Sequence, residues 1–241
     1  MIKQPNLKCV SLTACAIAML TVTSTQVLAE TVDLTVVGTI SPAACTPALT
    51  GGGIIDYGVI SPSTLSPTAL TVLPIKTLTF SIACTEQVKV ALSAINGRVN
   101  TAAGVATPGT NSDGLTPVTL FGGTTTGVAG LGLDSVNSAK IGGYAVRIDP
   151  GSVIADTNSV LSLRKTVAAS TWINDSQSGD LYDPATTRLI SWAAASTTVP
   201  VGITNLSGTL SVQAYLNNST QLSLNHVITL NGLTTIELSY L

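Results

Sequence analysis

Along most of this chain, apolar and polar side chains alternate one by one. "TVDLTVVGTI" (31–40) sets Val32, Leu34 and Val36 on one face, and "TLTFSIAC" (77–84) does the same with Leu78, Phe80, Ile82 and Cys84. "QVKVALSAI" (87–95), "YAVRI" (144–148) and "TLSVQAYL" (209–216) repeat the pattern. It returns in "TTIELSYL" (234–241) through Ile236, Leu238 and Tyr240, where most domains let the chain fray. A two-residue period predicts strands with one dry face and one wet face. Clusters of Gly, Pro, Asn and Ser separate the runs as turns. "SVLSLRKTVAAS" (159–170) reads either as a short helix or as another strand, and no stretch has a convincing helical period. Many short strands without helices predict an all-β sandwich or barrel of Greek-key type. The Gly/Thr/Ser-rich stretch 100–134 reads as long loops around one or two strands, and nothing in 30–241 is long or polar enough to be a linker. We therefore expect a single domain over 30–241.

Composition narrows the class. Of 241 residues 45% are hydrophobic and 9% charged, which fits an exported β protein better than a cytosolic enzyme. The net charge of −2 and the absence of a basic run exclude a nucleic-acid partner from the expectations. The N-terminus carries Lys3 and Lys8, then the apolar run "CVSLTACAIAMLTV", then "VLAE". This predicts a signal peptide over 1–29 with the mature chain starting at Glu30. "AIA" (16–18) offers a second cleavage site, which would start the chain at Met19. "LTAC" (12–15) resembles a lipoprotein box, but most of the apolar run follows Cys15. Cys9 and Cys15 leave with the signal, so the exported chain holds Cys45 and Cys84, which are expected to pair. Closing that loop is worth roughly 4 kcal/mol on the chain-entropy model.

Candidate chemistry is sparse. Catalysis by a Ser/His/Asp triad would have to use His226 in "LSLNHVITL", and the nucleophile-elbow pattern is absent. Asp175, Asp180 and Asp183 cluster in "WINDSQSGDLYDP" (172–184), but the spacing fails the calcium-loop pattern and reads as a polar surface turn. "AGLGLD" (129–134) lacks phosphate-loop spacing. No cofactor, no metal site and no enzyme activity are expected. The one attraction for a ligand is aromatic: Trp172, Tyr182 and Trp192 gather in a chain only 4% aromatic, beside carboxylates, as in many sugar-binding loops.

"VVGTISPAACTP" (36–47), "LTFSIAC" (78–84) and "IELSYL" (236–241), together with "GGGIIDYGVISPSTLSP" (51–67), resemble the signature regions of fimbrial subunits of the chaperone–usher route. The match is to a larger branch of pilin-like proteins. The resemblance implies an incomplete immunoglobulin-like sandwich whose missing last strand leaves an open groove. A periplasmic chaperone fills that groove first, and the N-terminal arm of a neighbouring fimbrial subunit replaces it at an outer-membrane usher. On this basis Ile236, Leu238 and Tyr240 would line the groove and contact the chaperone. Val32, Leu34 and Val36 would form the donated strand, and Cys45–Cys84 would brace the fold. The protein would pass through the periplasm to the cell surface.

Two features depart from the family pattern. Fimbrial subunits carry a glycine near the fourteenth residue from the end, where this chain has Ile228, with Gly232 nearby. A start at Glu30 leaves only "ETVDLTVV" before "GTI", a short arm for a donor, which suits a terminal or accessory subunit; a start at Met19 suits an ordinary repeating one. A structural fimbrial subunit is thus the expected function. The alternatives are an adhesin binding a host or surface glycan through the 172–192 loops and, further off, an exported hydrolase.

Overall fold

A computed structural model describes residues 31–41, 43–105, 109, 111–175 and 178–241. The expected leader over 1–29 and both cleavage sites lie outside them. Among the described residues every regular element beyond two short 3-10 turns is a strand. In chain order these are β1 (Cys45–Leu49), β2 (Thr71–Val72), β3 (Lys76–Val88), β4 (Val90–Asn96), β5 (Gly114–Leu115), β6 (Gly127–Gly130), β7 (Gly142–Ile148), β8 (Ile154–Ala155), β9 (Asn158–Ser159), β10 (Leu161–Thr166), β11 (Ile173–Asn174), β12 (Arg188–Ala193), β13 (Ile203–Leu216) and β14 (Thr234–Tyr240). The ambiguous stretch 159–170 contains β10 and no helix.

Residues 41–241 build an immunoglobulin-like sandwich of two antiparallel sheets. The larger runs β1-β3-β13-β7-β6-β5, with β2, β8 and β9 attached, and the smaller runs β11-β10-β12-β4-β14. β13 is the spine of the first sheet, pairing β3 along one side and β7 along the other. Its alternation decides its two faces. Leu206, Leu210, Val212, Ala214 and Leu216 point into the sandwich, while Tyr215 points out. The inner core joins Phe80, Ile82 and Ile148 from the larger sheet to Leu92, Ile190 and Trp192 from the smaller.

A second, smaller core lies on the outer face of the larger sheet. There Ala102, Ala103, Leu120 and Val128 cover Ala145 and Tyr215. Buried Asp113 organises this layer by accepting from Asn96 Nδ2 and from the Asn100 and Ala102 amides, and Tyr215 donates its hydroxyl to Ala103 O at 2.8 Å. The Gly/Thr/Ser-rich stretch is therefore a packed layer as well as loop.

Cys45 and Cys84 form a disulfide at the first rung of the β1–β3 ladder. The expected strand over 31–40 is a correction. Those residues carry no regular secondary structure, and Val32, Leu34 and Val36 are almost fully exposed. An alternating sequence fits a pleat, but a strand forms only where a neighbour takes its N–H and C=O groups.

Candidate functional site

β1 ends one edge of the larger sheet and β14 ends one edge of the smaller. The two edges are on the same side of the sandwich, because Tyr240 at the end of β14 accepts a hydrogen bond on its hydroxyl from the Cys45 amide at 2.8 Å. Away from that bridge the edges part around a groove of about 770 Å³.

Its floor is the inner face of the larger sheet: Leu78, Tyr144, Val146, Leu210, Val212, Ala214 and Leu216. One lip follows β1. Gly51, Gly52 and Gly53 all take positive φ, a run that glycine tolerates and other residues resist, and they turn the chain out of β1 into 54–60. Ile55, Tyr57 and Ile60 face inward from this lip. The other lip is 224–233, leading into β14, with Ile228 and Leu230 facing inward and Ile236 continuing the row. Gly232 belongs to the same row, and a Cβ there would stand 2.8 Å from the Tyr144 ring, so a side chain is excluded by close approach.

Neither lip is part of a sheet. Among the described residues the main-chain groups of Ile55–Tyr57, Val59 and Ile60, and those of Val227–Leu230, have no hydrogen-bond partner. Each lip is tied down at other points. Tyr57 donates its hydroxyl to Val212 O and accepts from the Ala214 amide at 3.2 Å. It fills the gap where the chain leaves the sheet between β2 and β3, next to Pro74, and burial pushes its pKa up. The second lip is held by Asn231 N to Leu131 O, by Arg98 on Asn231, and by Asp134. Asp134 accepts from the Ser223 amide and pairs with His226 Nε2 at 3.0 Å. Burial works to raise the Asp134 pKa, but the Val136 and Ser223 amides and the His226 ring outweigh it and hold the carboxyl below its usual range. At the floor, Thr234 accepts from the Tyr182 hydroxyl at 2.9 Å and shares a 2.7 Å bond with Tyr144. Burial raises both tyrosine pKa values.

The residues expected from sequence meet this geometry unevenly. Ile236 lines the groove, and Leu238 is half-buried against the inner core beyond it. Tyr240 is a correction. Its ring is exposed and its hydroxyl bridges the two sheets, so it closes one end of the groove without lining it. Tyr182 and Trp192 are 1% exposed and belong to the inner core, which removes them from any ligand surface. Only Trp172 of the three is partly exposed, with Lys165 Nζ 5.0 Å from its ring centroid. Sequence reasoning missed Tyr57, Ile228, Leu230 and Thr234. The alternation His226, Ile228, Leu230 running into Ile236 and Leu238 is the signal that would have found Ile228 and Leu230.

Asp175, Asp180 and Asp183 do not form a polar surface turn either. Asp175 and Asp180 are buried, and Arg188 donates to Asp180 O and to Asp183 Oδ2. Burial raises the pKa of Asp175 and of Asp180 against the pull of Arg188, and Asp175 adds to the rise at Asp180. Asp183 is held low, because the Ala185 and Thr186 amides and Arg188 outweigh its burial. A carboxyl whose pKa is higher folded than unfolded takes up its proton first in the folded state, so stability rises as pH falls through the raised value. Urea midpoints should therefore climb on acidification toward the ordinary carboxylate range, and less so in Asp180→Asn. Asp134 and Asp183 act the other way and lose their contribution only below the ordinary carboxylate range. A wild-type midpoint that falls steadily from neutral pH would contradict this account. Among the described residues no three His, Cys, Asp or Glu side chains are grouped to hold a metal.

The family model described as "Protein of unknown function (DUF1120)" matches residues 34–145. Protein GltF of Escherichia coli (strain K12) is 30% identical over 250 residues, covering 97% of this chain and 95% of GltF. The uncharacterized protein YhcF of the same organism is 31% identical over 137 residues, covering 54% of this chain and 56% of YhcF. No solved structure matches the chain. With a relative aligned over nearly its whole length and the family model matching residues 34–145, the chain belongs to the DUF1120 family.

Proposed function

We propose that the chain is a structural subunit of a surface fimbria, kept folded by a periplasmic chaperone and joined to its neighbours by strand donation at an outer-membrane usher. One observation carries this reading. Two lips of unpaired backbone face each other across an apolar groove, in a chain whose residues 31–40 alternate apolar side chains and have no strand partner. A strand laid between the lips would satisfy both rows of backbone groups and seat alternate side chains on the floor. Burying three side chains such as Val32, Leu34 and Val36 is worth at most roughly 5–8 kcal/mol before the cost of association. Side-chain burial alone therefore falls short of micromolar affinity, about 8 kcal/mol, and the main-chain hydrogen bonds to the two lips have to supply the rest.

The test is a synthetic peptide of residues 31–40 added to the purified chain and followed by calorimetry. Saturable binding is expected. It should weaken by about tenfold or more when Leu34 of the peptide becomes Asp, or when Ile228 of the chain does. Absence of binding at about millimolar peptide, or binding indifferent to both changes, would remove the reading. The adhesin alternative has lost two of its three aromatic residues to the core, and no observation here favours a hydrolase.

A further inference from the structure

The second lip is held at its two ends and has no main-chain partners between them. Downstream, Asn231 N donates to Leu131 O, and Arg98 donates to the Asn231 carbonyl and side chain. Upstream, Asn137 Nδ2 donates to Gln221 O at 2.9 Å, and the rest of the pin gathers on one buried carboxylate. Asp134 Oδ2 accepts from the Ser223 amide at 2.9 Å; Oδ1 accepts from the Val136 amide and meets His226 Nε2 at 3.0 Å. The place of Val227–Leu230 across the groove is therefore set by how firmly each end is held.

The upstream pin changes its strength with proton uptake. His226 is the chain's sole histidine and lines the groove. Both of its ring nitrogens face oxygen. Nε2 is 3.4 Å from Ser135 Oγ as well as close to Asp134, and Nδ1 is 3.4 Å from Asn225 Oδ1. A neutral imidazole has one N–H to donate and an imidazolium has two, so these surroundings suit the charged ring. Asp134 is held below the usual carboxylate range and stays ionised at neutral and mildly acid pH. The ring alone then decides whether the pin is an ordinary hydrogen bond or an ion pair. Imidazole is the side chain that gains its charge between about pH 5 and 8. Asp56 from the first lip and Tyr144 from the floor line the same groove, Lys140 closes the 131–141 turn, and Arg98 is at the other pin. Among the described residues Asp134 is the charged partner of the ring.

We propose that His226 is a pH-sensitive pin: its protonation draws the start of the second lip onto Asp134 and raises the affinity of the groove for an extended peptide strand. The proposal rests on the strand-donation reading and adds its regulation. A loosely held lip must be ordered when the strand enters, at a cost to affinity. The ion pair orders it beforehand. The sign follows from linkage: a ring that is protonated more readily with the lip in place favours binding at acid pH, and the gain is lost as pH rises.

Calorimetric titration of the purified full chain with the 31–40 peptide, at about pH 5.5 and about pH 8, tests it. Affinity should be about threefold to tenfold tighter at the lower pH, as an ion pair replaces a neutral bond. His226→Gln should bind at the weaker level at both pH values, and His226→Lys, charged at both, at the tighter level. Any contribution from Asp33 of the peptide, or from Asp175 and Asp180, persists in His226→Gln, so the difference belongs to His226. In the peptide-free chain the Ser223 and Val136 amide resonances should follow the titration of the ring and lose that inflection in His226→Gln. Equal affinity at both pH values, a pH dependence that survives in His226→Gln, or amide resonances indifferent to the ring would each overturn the pin and leave strand capture standing. No binding at either pH would remove the strand-donation reading and the proposal with it.

Discussion

A chain cut before Thr234 will not accumulate as a folded protein. β14 pairs with β4 over its whole length, from Thr234 against Asn96 to Tyr240 against Val90. Deleting residues 234–241 strips the half-buried Ile236 and Leu238 from the inner core and bares Leu92 beneath them, each worth about 1–1.5 kcal/mol. It also removes Thr234, the hydrogen-bond partner of buried Tyr182 and Tyr144. A buried hydroxyl left without a partner costs about 1–3 kcal/mol. Together these reach roughly 5–8 kcal/mol, comparable to the entire stability of an ordinary domain. Limited proteolysis and circular dichroism of the truncated chain should show rapid cleavage and a lost β signal. A truncated chain as resistant as the intact one would mean that β14 is an accessory strand. Thr234→Val separates the two causes, since it keeps the strand while withdrawing the hydroxyl.

Replacing both cysteines by serine should lower the melting temperature by about 8–15 °C. The cystine closes a loop of sequence separation 39, which removes about 4 kcal/mol of unfolded-state entropy on the chain-entropy model. It also pins a short strand. β1 is an edge element paired only to β3, its middle residues are exposed, and Cys45 is its first rung. Calorimetry of the double variant, against wild type with and without reductant, measures the effect. A shift under about 2 °C would show that the β1–β3 ladder and the Tyr240 bridge hold the edge unaided.

The all-β sandwich was legible because its long strands are half-buried. Leu78, Phe80, Ile82 and Cys84 read directly as an inward row, and β7, β13 and β14 announce themselves in the same way. Residues 31–40 have the same pattern and no strand, because alternation records what a strand could bury and not whether a neighbour is present. Trp172, Tyr182 and Trp192 are close in sequence, yet two of them face the core: Trp192 as a β12 rung opposite Ser162, and Tyr182 from the loop before β12 with its hydroxyl on Thr234. The groove was half legible. Ile236 is legible from its period, while the opposite lip is not, because "IIDYGVI" breaks its alternation at Gly58. Tyr240 shared the period of Ile236, but a long polar-tipped side chain at a strand end reaches across to whatever main-chain donor lies within range.

The Tyr57 hydroxyl, set where the larger sheet lacks a rung, separates two things that a continuous ladder would join. A lip held by backbone pairing would inherit the cooperativity of the whole sheet and part from it only when the sheet melts. This lip is moored by a single phenol together with the packing of Ile55 and Ile60, between glycines that impose no stiffness of their own. Its place over the floor is a local property, written at one position. The spine strand beneath keeps its ladders with β3 and β7 wherever the lip stands.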